Sequence, residues 1–240
     1  MAQGLFITVE GIDGCGKSTQ ARLIAAALEA AGHDVLRLRE PGGVKISEQI
    51  RAILLDPANG EMGDVCELLL YEAARAQLVH QVVRPALAAG KTVICDRFYD
   101  STTAYQAFAD GLDRTTVAQA NALAIDGCRP DLTLVFDLPV EVALRRRSGR
   151  GGVEDRLELK GLEFQERVAA GFRAVAAEEP SRVKQIDAAR SIADVFASVV
   201  IELRAVGLDV FDEQVAAVLV EVEHEGENAS SNAVVTGEGR

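Results

Sequence analysis

The sequence predicts an α/β sandwich built on a five-stranded parallel sheet with helices on both faces. Three observations predict it. Short apolar, β-branched runs recur at residues 5–9, 34–38, 92–95, 132–136 and 183–186, each reading as a buried strand. Helical patterns separate one run from the next. The connection after the first run, Gly11-Ile12-Asp13-Gly14-Cys15-Gly16-Lys17-Ser18, fits G-x-x-x-x-G-K-[ST], a glycine-rich loop between a strand and a helix.

The first strand and this loop specify a P-loop NTPase-type sandwich. Glycines let several backbone N–H groups converge on one anion without Cβ clashes. The helix over residues 19–31, with Leu23, Ala27 and Leu28 at helical spacing and Gly32 at its end, adds unpaired N–H groups and a positive dipole end. The pattern implies that Lys17 reaches the outer phosphates of a nucleotide and that the Ser18 hydroxyl holds Mg²⁺.

The second strand runs into Arg39-Glu40-Pro41-Gly42-Gly43. Pro-Gly-Gly breaks the chain into a loop and leaves Arg39 and Glu40 at the strand's C-terminal edge, where open α/β sheets bind ligands. Residues 47–55 predict a helix with Ile46, Ile50, Ile53 and Leu54 on one face. Residues 62–89 predict a long helix, kinked near Pro85, with Tyr71 and Arg75 four apart on one face. Two readings stay open for that pair: a ring and guanidinium that bind a base, or a surface cation–π pair, which spacing alone favours.

The third strand ends in Asp96-Arg97. An acid there is where phosphate-loop enzymes keep a magnesium-side carboxylate; a helix N-cap or a structural Asp–Arg pair is the alternative. Ser101-Thr102-Thr103-Ala104-Tyr105-Gln106 reads as a polar helix start, and residues 114–127 as an amphipathic helix. After the fourth strand, a helix from Val140 runs into Arg145-Arg146-Arg147-Ser148-Gly149-Arg150-Gly151-Gly152, with Arg156 beyond. Arginines interleaved with glycines read as a mobile lid over a charged ligand, the alternative being a basic surface loop. Residues 157–179 and 191–206 predict helices flanking the fifth strand, the second with Ser191 as N-cap.

Bulk properties bound the function. The 240 residues are 48% hydrophobic, enough for one well-filled core. No apolar run is long enough to cross a bilayer, and the start reads as lacking a signal peptide, so a cytoplasmic protein is expected. Cys15, Cys66, Cys95 and Cys128 form no C-x-x-C pair, which argues against zinc. Cys15 is either an alkylation-sensitive thiol or a small filler of the loop. The net charge of −12 is uneven: residues 209–240 hold eight acids against Arg240 alone. Nothing shows the basic excess of a nucleic-acid binder.

Together the stretches Glu10–Thr19, Arg39–Gly43, Ala73-Ala74-Arg75-Ala76-Gln77, Asp96-Arg97 with Ser101-Thr102 and Tyr105-Gln106, Pro130–Leu134, and the arginine-rich lid resemble the thymidylate kinases of the bacterial kind, over about residues 4–206. The resemblance implies a nucleoside monophosphate kinase domain at 1–207 that makes dTDP from dTMP and ATP in dTTP synthesis, and a homodimer. It places ATP on Gly11, Ile12, Asp13, Gly14, Cys15, Gly16, Lys17, Ser18 and Thr19. It places dTMP among Arg39, Glu40, Tyr71, Arg75, Asp96, Arg97, Ser101, Thr102, Tyr105 and Gln106. Arg39 and Arg97 take the monophosphate, Tyr71 stacks on the base where Phe is usual, Arg75 bonds the base, and Tyr105 packs where a 2′-hydroxyl would sit. Asp13, Ser18 and Asp96 form the magnesium side. The loop lacks a second basic residue, so the lid supplies the helper arginine: Arg150 first, then Arg147. Val44 replaces the Thr usual after Pro-Gly-Gly. Other P-loop nucleotide or deoxynucleoside kinases are the alternative. A guanine-dependent switch is a more distant one, because the chain has no Asn-Lys-x-Asp. Residues 208–240 carry no inherited role; 209–222 predict one amphipathic helix, followed by a disordered acidic tail.

Overall fold

The computed structural model describes residues 4–149 and 155–220 of the chain. Five strands, β1 (Phe6–Glu10), β2 (Val35–Arg39), β3 (Thr92–Asp96), β4 (Leu132–Asp137) and β5 (Val183–Asp187), form one parallel sheet in the order β2-β3-β1-β4-β5. β1 lies at the centre and is buried along its whole length, as an apolar strand covered on both faces must be. Its register sets Val9 opposite Asp96 of β3, so the loop after β1 and the residues after β3 emerge side by side.

Helices flank the sheet: α1 (Lys17–Ala30), α2 (Lys45–Leu55), α3 (Asp64–Leu78), α4 (Arg84–Ala88), α5 (Tyr99–Thr102), α6 (Arg114–Ile125), α7 (Val140–Ser148), α8 (Gly161–Glu178) and α9 (Ile192–Ala205). The predicted long helix is α3 and α4 joined by a π-helical turn, Val79–Val83. Pro85 lacks an N–H, and the wider turn just before it takes up the irregularity. A second π-turn, Thr103–Ala109, extends α5. Ser191 caps α9 as predicted, its hydroxyl accepting from the Asp194 N–H. Val44 is the N-cap of α2 and offers no side-chain bond there; its side chain joins the core instead.

The apolar face expected of α2 is corrected by the fold. Ile46 and Ile53 are 50% and 47% exposed, and only Ser47 and Leu54 are buried in this helix. The helix is rotated so that Ser47 faces α3 and donates to the Ala74 carbonyl at 2.8 Å.

Residues 212–220 are helical, and Leu208, Val210 and Val218 belong to the main core with α1 and α9 residues. Residues 221–240, including the rest of the predicted tail, lie outside the described residues. Among those described, no helix is long and apolar enough to cross a membrane.

α8 packs closely against the π-turn Thr103–Ala109. A Cβ on Gly171 would stand 2.9 Å from the Ala104 Cα and 2.9 Å from the Phe108 Cβ. Backbone cannot move aside as a flexible side chain can, so Gly171→Ala should cost about 1–3 kcal/mol. Thermal melting of that variant should show a Tm several degrees lower; an unchanged Tm would mean the two elements are free to separate.

Candidate functional site

The loop after β1 has the backbone that its glycines permit. Gly11, Gly14 and Gly16 all have positive φ. A Cβ at Gly14 would lie 2.2 Å from the Ala143 carbonyl of α7, so both conformation and space require glycine there. Lys17 is 6% exposed; its ammonium donates to the Asp13 carboxylate at 2.9 Å and to the Ile12 carbonyl at 3.4 Å. Cys15 is buried, and burial raises its thiol pKa against the pull of Lys17. That is the filler reading rather than a reactive thiol.

Two cavities border this loop. One, about 370 Å³, is lined by Gly14, Cys15, Gly16, Thr19, Arg146 and the chain from Ala188 to Ile192. Arg146 is set at its wall by donating to the Ala188 carbonyl at 3.3 Å. The other, about 110 Å³, is lined by Asp13, Glu40, Arg51, Tyr71, Arg75, Arg97, Ser101, Thr102, Tyr105, Gln106 and Asp155, among others. Asp13 thus borders the second cavity while its neighbours in the loop border the first.

Asp13 also joins the two cationic groups. It accepts from Lys17 and, at 2.7 Å, from Arg97. Burial pushes its carboxyl pKa up, but Arg97 and Lys17 together more than reverse this and hold it well below the usual carboxylate range. Arg97 has φ 70, a left-handed conformation that costs a non-glycine residue on the order of 1 kcal/mol. It is held there by its N–H bond to the Val9 carbonyl at 3.0 Å and by side-chain bonds to Ser101 and the Tyr105 hydroxyl.

The Tyr71–Arg75 pair is not a surface cation–π contact. Arg75 is 1% exposed and lies over Phe98, not Tyr71. Its Nε donates to Glu40 at 2.8 Å and one terminal nitrogen to Glu72 at 2.6 Å and Asn121 at 3.3 Å. Two carboxylates face one guanidinium in a dry setting. Burial therefore pushes Glu40 up, to about 7, against the pull of Arg75 and with help from Glu72. Gln106 lines the cavity while donating to buried Glu67, and the Thr102 hydroxyl is buried at the wall with no protein partner.

Of the residues predicted for the acceptor site, Asp96 does not line this cavity, and neither does Arg39. The Arg39 guanidinium is turned to Glu48 at 3.0 Å and to the Pro41 carbonyl, while the Gly43 N–H also bonds Glu48. Arg51 of α2 holds the place expected of it, lining the cavity and bonding the same Pro41 carbonyl at 2.9 Å. No signal in the sequence singled out Arg51, which shares its helix with Lys45, Ser47, Glu48 and Gln49.

The lid stretch divides. Arg145, Arg146 and Arg147 form the last turn of α7, and residues 150–154, with Arg150, lie outside the described residues. Arg147 stands 3.7 Å from Glu158, whose carboxyl also feels Asp13. Arg156 is buried, paired with Glu67 at 2.5 Å and donating to the Leu54 carbonyl, so it braces the wall instead of facing a ligand.

Ser18 donates to Asp96 at 2.8 Å. A hydroxyl and a carboxylate side by side at a solvent-facing rim make an all-oxygen pair that suits Mg²⁺. Among the described residues no three His, Cys, Asp or Glu gather to hold a metal, so a magnesium ion at this pair would take most of its ligands from phosphate and water. Asp13, already bonded to two cations, is the weaker ligand of the three predicted.

Two cavities that border successive residues of one loop, with Lys17 and Arg97 both on Asp13 beside them, suit transfer between two phosphate-bearing molecules. Fold and site define a P-loop phosphotransferase. The comparisons narrow the class. The family model described as thymidylate kinase matches residues 9–199. The thymidylate kinase of Trichlorobacter lovleyi is 52% identical over 189 residues, covering 77% of this chain and 89% of that protein. That of Pseudomonas syringae pv. tomato is 49% identical, covering 81% and 92%. The crystal structure of thymidylate kinase from Ehrlichia chaffeensis superposes with a TM-score of 0.69 at 34% identity, covering 84% of this chain and 99% of that one. The chain belongs to the thymidylate kinase family.

Behind the loop, Glu10 is fully buried and accepts from the Phe98 N–H at 2.7 Å and the Ser101 hydroxyl at 2.6 Å. Burial first, then the nearby Asp100, push its carboxyl up from 4.5 to about 8, against Arg97 and these two bonds. The folded chain thus holds this proton more tightly than the unfolded one. The resulting stability is complete below about pH 4.5 and is lost as pH rises through about 8. Glu10→Gln, which can keep a bond to each partner, should flatten the fall in Tm between pH 4.5 and about 8, by up to roughly 4 kcal/mol over the whole window. Identical pH profiles for the two proteins would show that Glu10 is ionised throughout.

Proposed function

We propose that this chain phosphorylates dTMP to dTDP with ATP, in dTTP synthesis, using the two cavities as donor and acceptor sites. The juxtaposition of Lys17 and Arg97 on Asp13 is the observation that carries the reading, because it fixes the donor and acceptor cations within one hydrogen-bonded unit. ATP phosphates lie on the backbone of residues 11–19 with Lys17. The donor base enters the cavity between Arg146 and residues 188–192. dTMP enters the second cavity with its base against Tyr71 and Arg75 and its phosphate at Arg97 and Arg51. Tyr105, packed under Arg97, closes the sugar side.

The nucleophile is a phosphate oxygen already ionised at neutral pH, so no general base is required. The residues act by alignment and by neutralising charge on the transferring group. Ser18 and Asp96 hold Mg²⁺, which neutralises charge on the donor phosphates when bound. Of the lid arginines we assign Arg150 first and then Arg147 to the transferring group; Arg147 stands in the last turn of α7, 3.7 Å from Glu158. Residues 1–207 form the kinase domain, and 208–240 an extension that docks by its first part.

The chain pairs as a homodimer through α2, α3 and α6. Ile46, Ile53, Val65, Leu69 and Leu123 are 47–83% exposed on these packed helices, more apolar surface than isolated contacts with water explain. Leu69→Glu with Leu123→Glu should shift the mass measured by sedimentation from dimer to monomer. A wild-type monomer at micromolar concentration would overturn the proposal.

A coupled ADP-release assay across dTMP, dUMP, dCMP and AMP tests the acceptor. dTMP should be best, and dUMP slower by about 10–200-fold, since one methyl group is worth only about 1–3 kcal/mol in a pocket. Another preferred acceptor would remove dTMP while leaving a kinase. Arg97→Ala should lower kcat/KM for dTMP by about 10²–10³. Asp96→Asn should raise the magnesium concentration giving half-maximal rate; an unchanged magnesium curve would remove Asp96 from the metal side.

A further inference from the structure

We infer that Arg182 is a positioning residue for acceptor binding: through Asp100 it holds the short helix α5 that follows Arg97 and presents Ser101 and Thr102 to the dTMP cavity. Arg182 immediately precedes β5, so it stands at the edge of the parallel sheet opposite the loop of residues 11–18. Its two terminal nitrogens donate to the two carboxylate oxygens of Asp100, at 2.8 and 2.9 Å. One of them also donates to the Thr133 hydroxyl at 2.6 Å, and Nε donates to Glu179 at 2.9 Å. The guanidinium lies over the Tyr99 ring, 5.1 Å from its centroid. Thr133 bonds Asp100 at 3.1 Å and meets the Thr8 hydroxyl at 2.7 Å. Asp100, Thr133 and Thr8 are 1%, 0% and 0% exposed. A charge pair and two hydroxyls therefore run across β1, β4 and β5 inside an otherwise apolar core.

Stability is a poor reason for such a pair, because apolar residues of similar volume often serve a core as well. A bidentate guanidinium–carboxylate fork supplies what they cannot, a fixed direction. α5 needs one. The π-turn packed on α8 anchors its far end, while its first residues, Tyr99 and Asp100, lead straight from the Arg97 segment and need a tie of their own. Glu10 fixes it on the cavity side through Phe98 and Ser101. Asp100 and Arg182 fix it from behind. Arg97, one step upstream of Phe98 and in a left-handed conformation, moves with whatever moves that segment.

The inference rests on the role proposed for Arg97, and the experiment separates the two. Asp100→Asn combined with Arg182→Met removes both charges and strands neither. In steady-state assays of the full chain, this variant should raise KM for dTMP about tenfold or more and leave KM for ATP within about twofold. Arg182→Lys, which keeps the charge but offers no fork, should fall between it and wild type. A merely structural role would lower kcat through a smaller active fraction and leave both KM values alone; that result overturns the tether. Arg97→Ala measured alongside with a normal dTMP KM overturns the assignment of Arg97, and with it the purpose of the tether.

Discussion

The carboxylate of Asp13 is the constraint on which the site depends. It sits between Lys17 and Arg97, at 2.9 and 2.7 Å, and among the described residues is the one group bonded to both cations. Two positive groups this close repel strongly in a partly dry cleft, and one shared anion removes that cost. The sheet makes the arrangement possible. β1 and β3 are neighbours in register, so the turn bearing Asp13 and Lys17 and the residue bearing Arg97 leave the sheet together. The price is a non-glycine residue in left-handed backbone, at the point where the chain must turn an arginine back over the strand ends.

Behind this pair lies a layer of buried carboxylates, all but Glu10 facing an arginine that it orients. Glu40 and Glu72 hold Arg75, Glu67 holds Arg156, and Asp100 holds Arg182. Glu10 faces none directly and bonds a backbone N–H and a hydroxyl instead. A long flexible side chain with several bonds to fixed partners has few rotamers left, so its remaining N–H groups point one way. The cavity wall is rigid for this reason. Lone buried acids also shift upward, which ties the stability of the site's frame to pH across the neutral range.

Much of this was legible in the chain itself. The five apolar runs became five strands within a residue of their expected ends, because a strand buried on both faces needs a continuous apolar run that little else in a small domain imitates. The glycine-rich loop announced its backbone, since Gly14 could be no other residue against Ala143. Less was legible on helices and strand ends. The stripe Ile46–Ile50–Ile53–Leu54 reads as a core face, yet only Leu54 is buried and Ile46 and Ile53 turn outward. Arg39 and Arg51 are equally good cations on paper, but Glu48 draws Arg39 out of the cavity. Tyr71 and Arg75 share a helix face, and only Phe98, Glu40 and Glu72 decide that Arg75 is buried.

The sequence by itself determined the local matters: where strands run, where the anion loop turns, which residue caps α9. These follow from backbone sterics and short-range bonds, whose partners lie a few residues apart. Tertiary structure alone decided which cations face the two cavities and which brace them. Arg182 meets Asp100 across 82 positions, and Arg97 meets Asp13 across 84. A charged side chain's direction is set by whichever opposite charge the sheet order carries to it, and no pattern along the chain records that order.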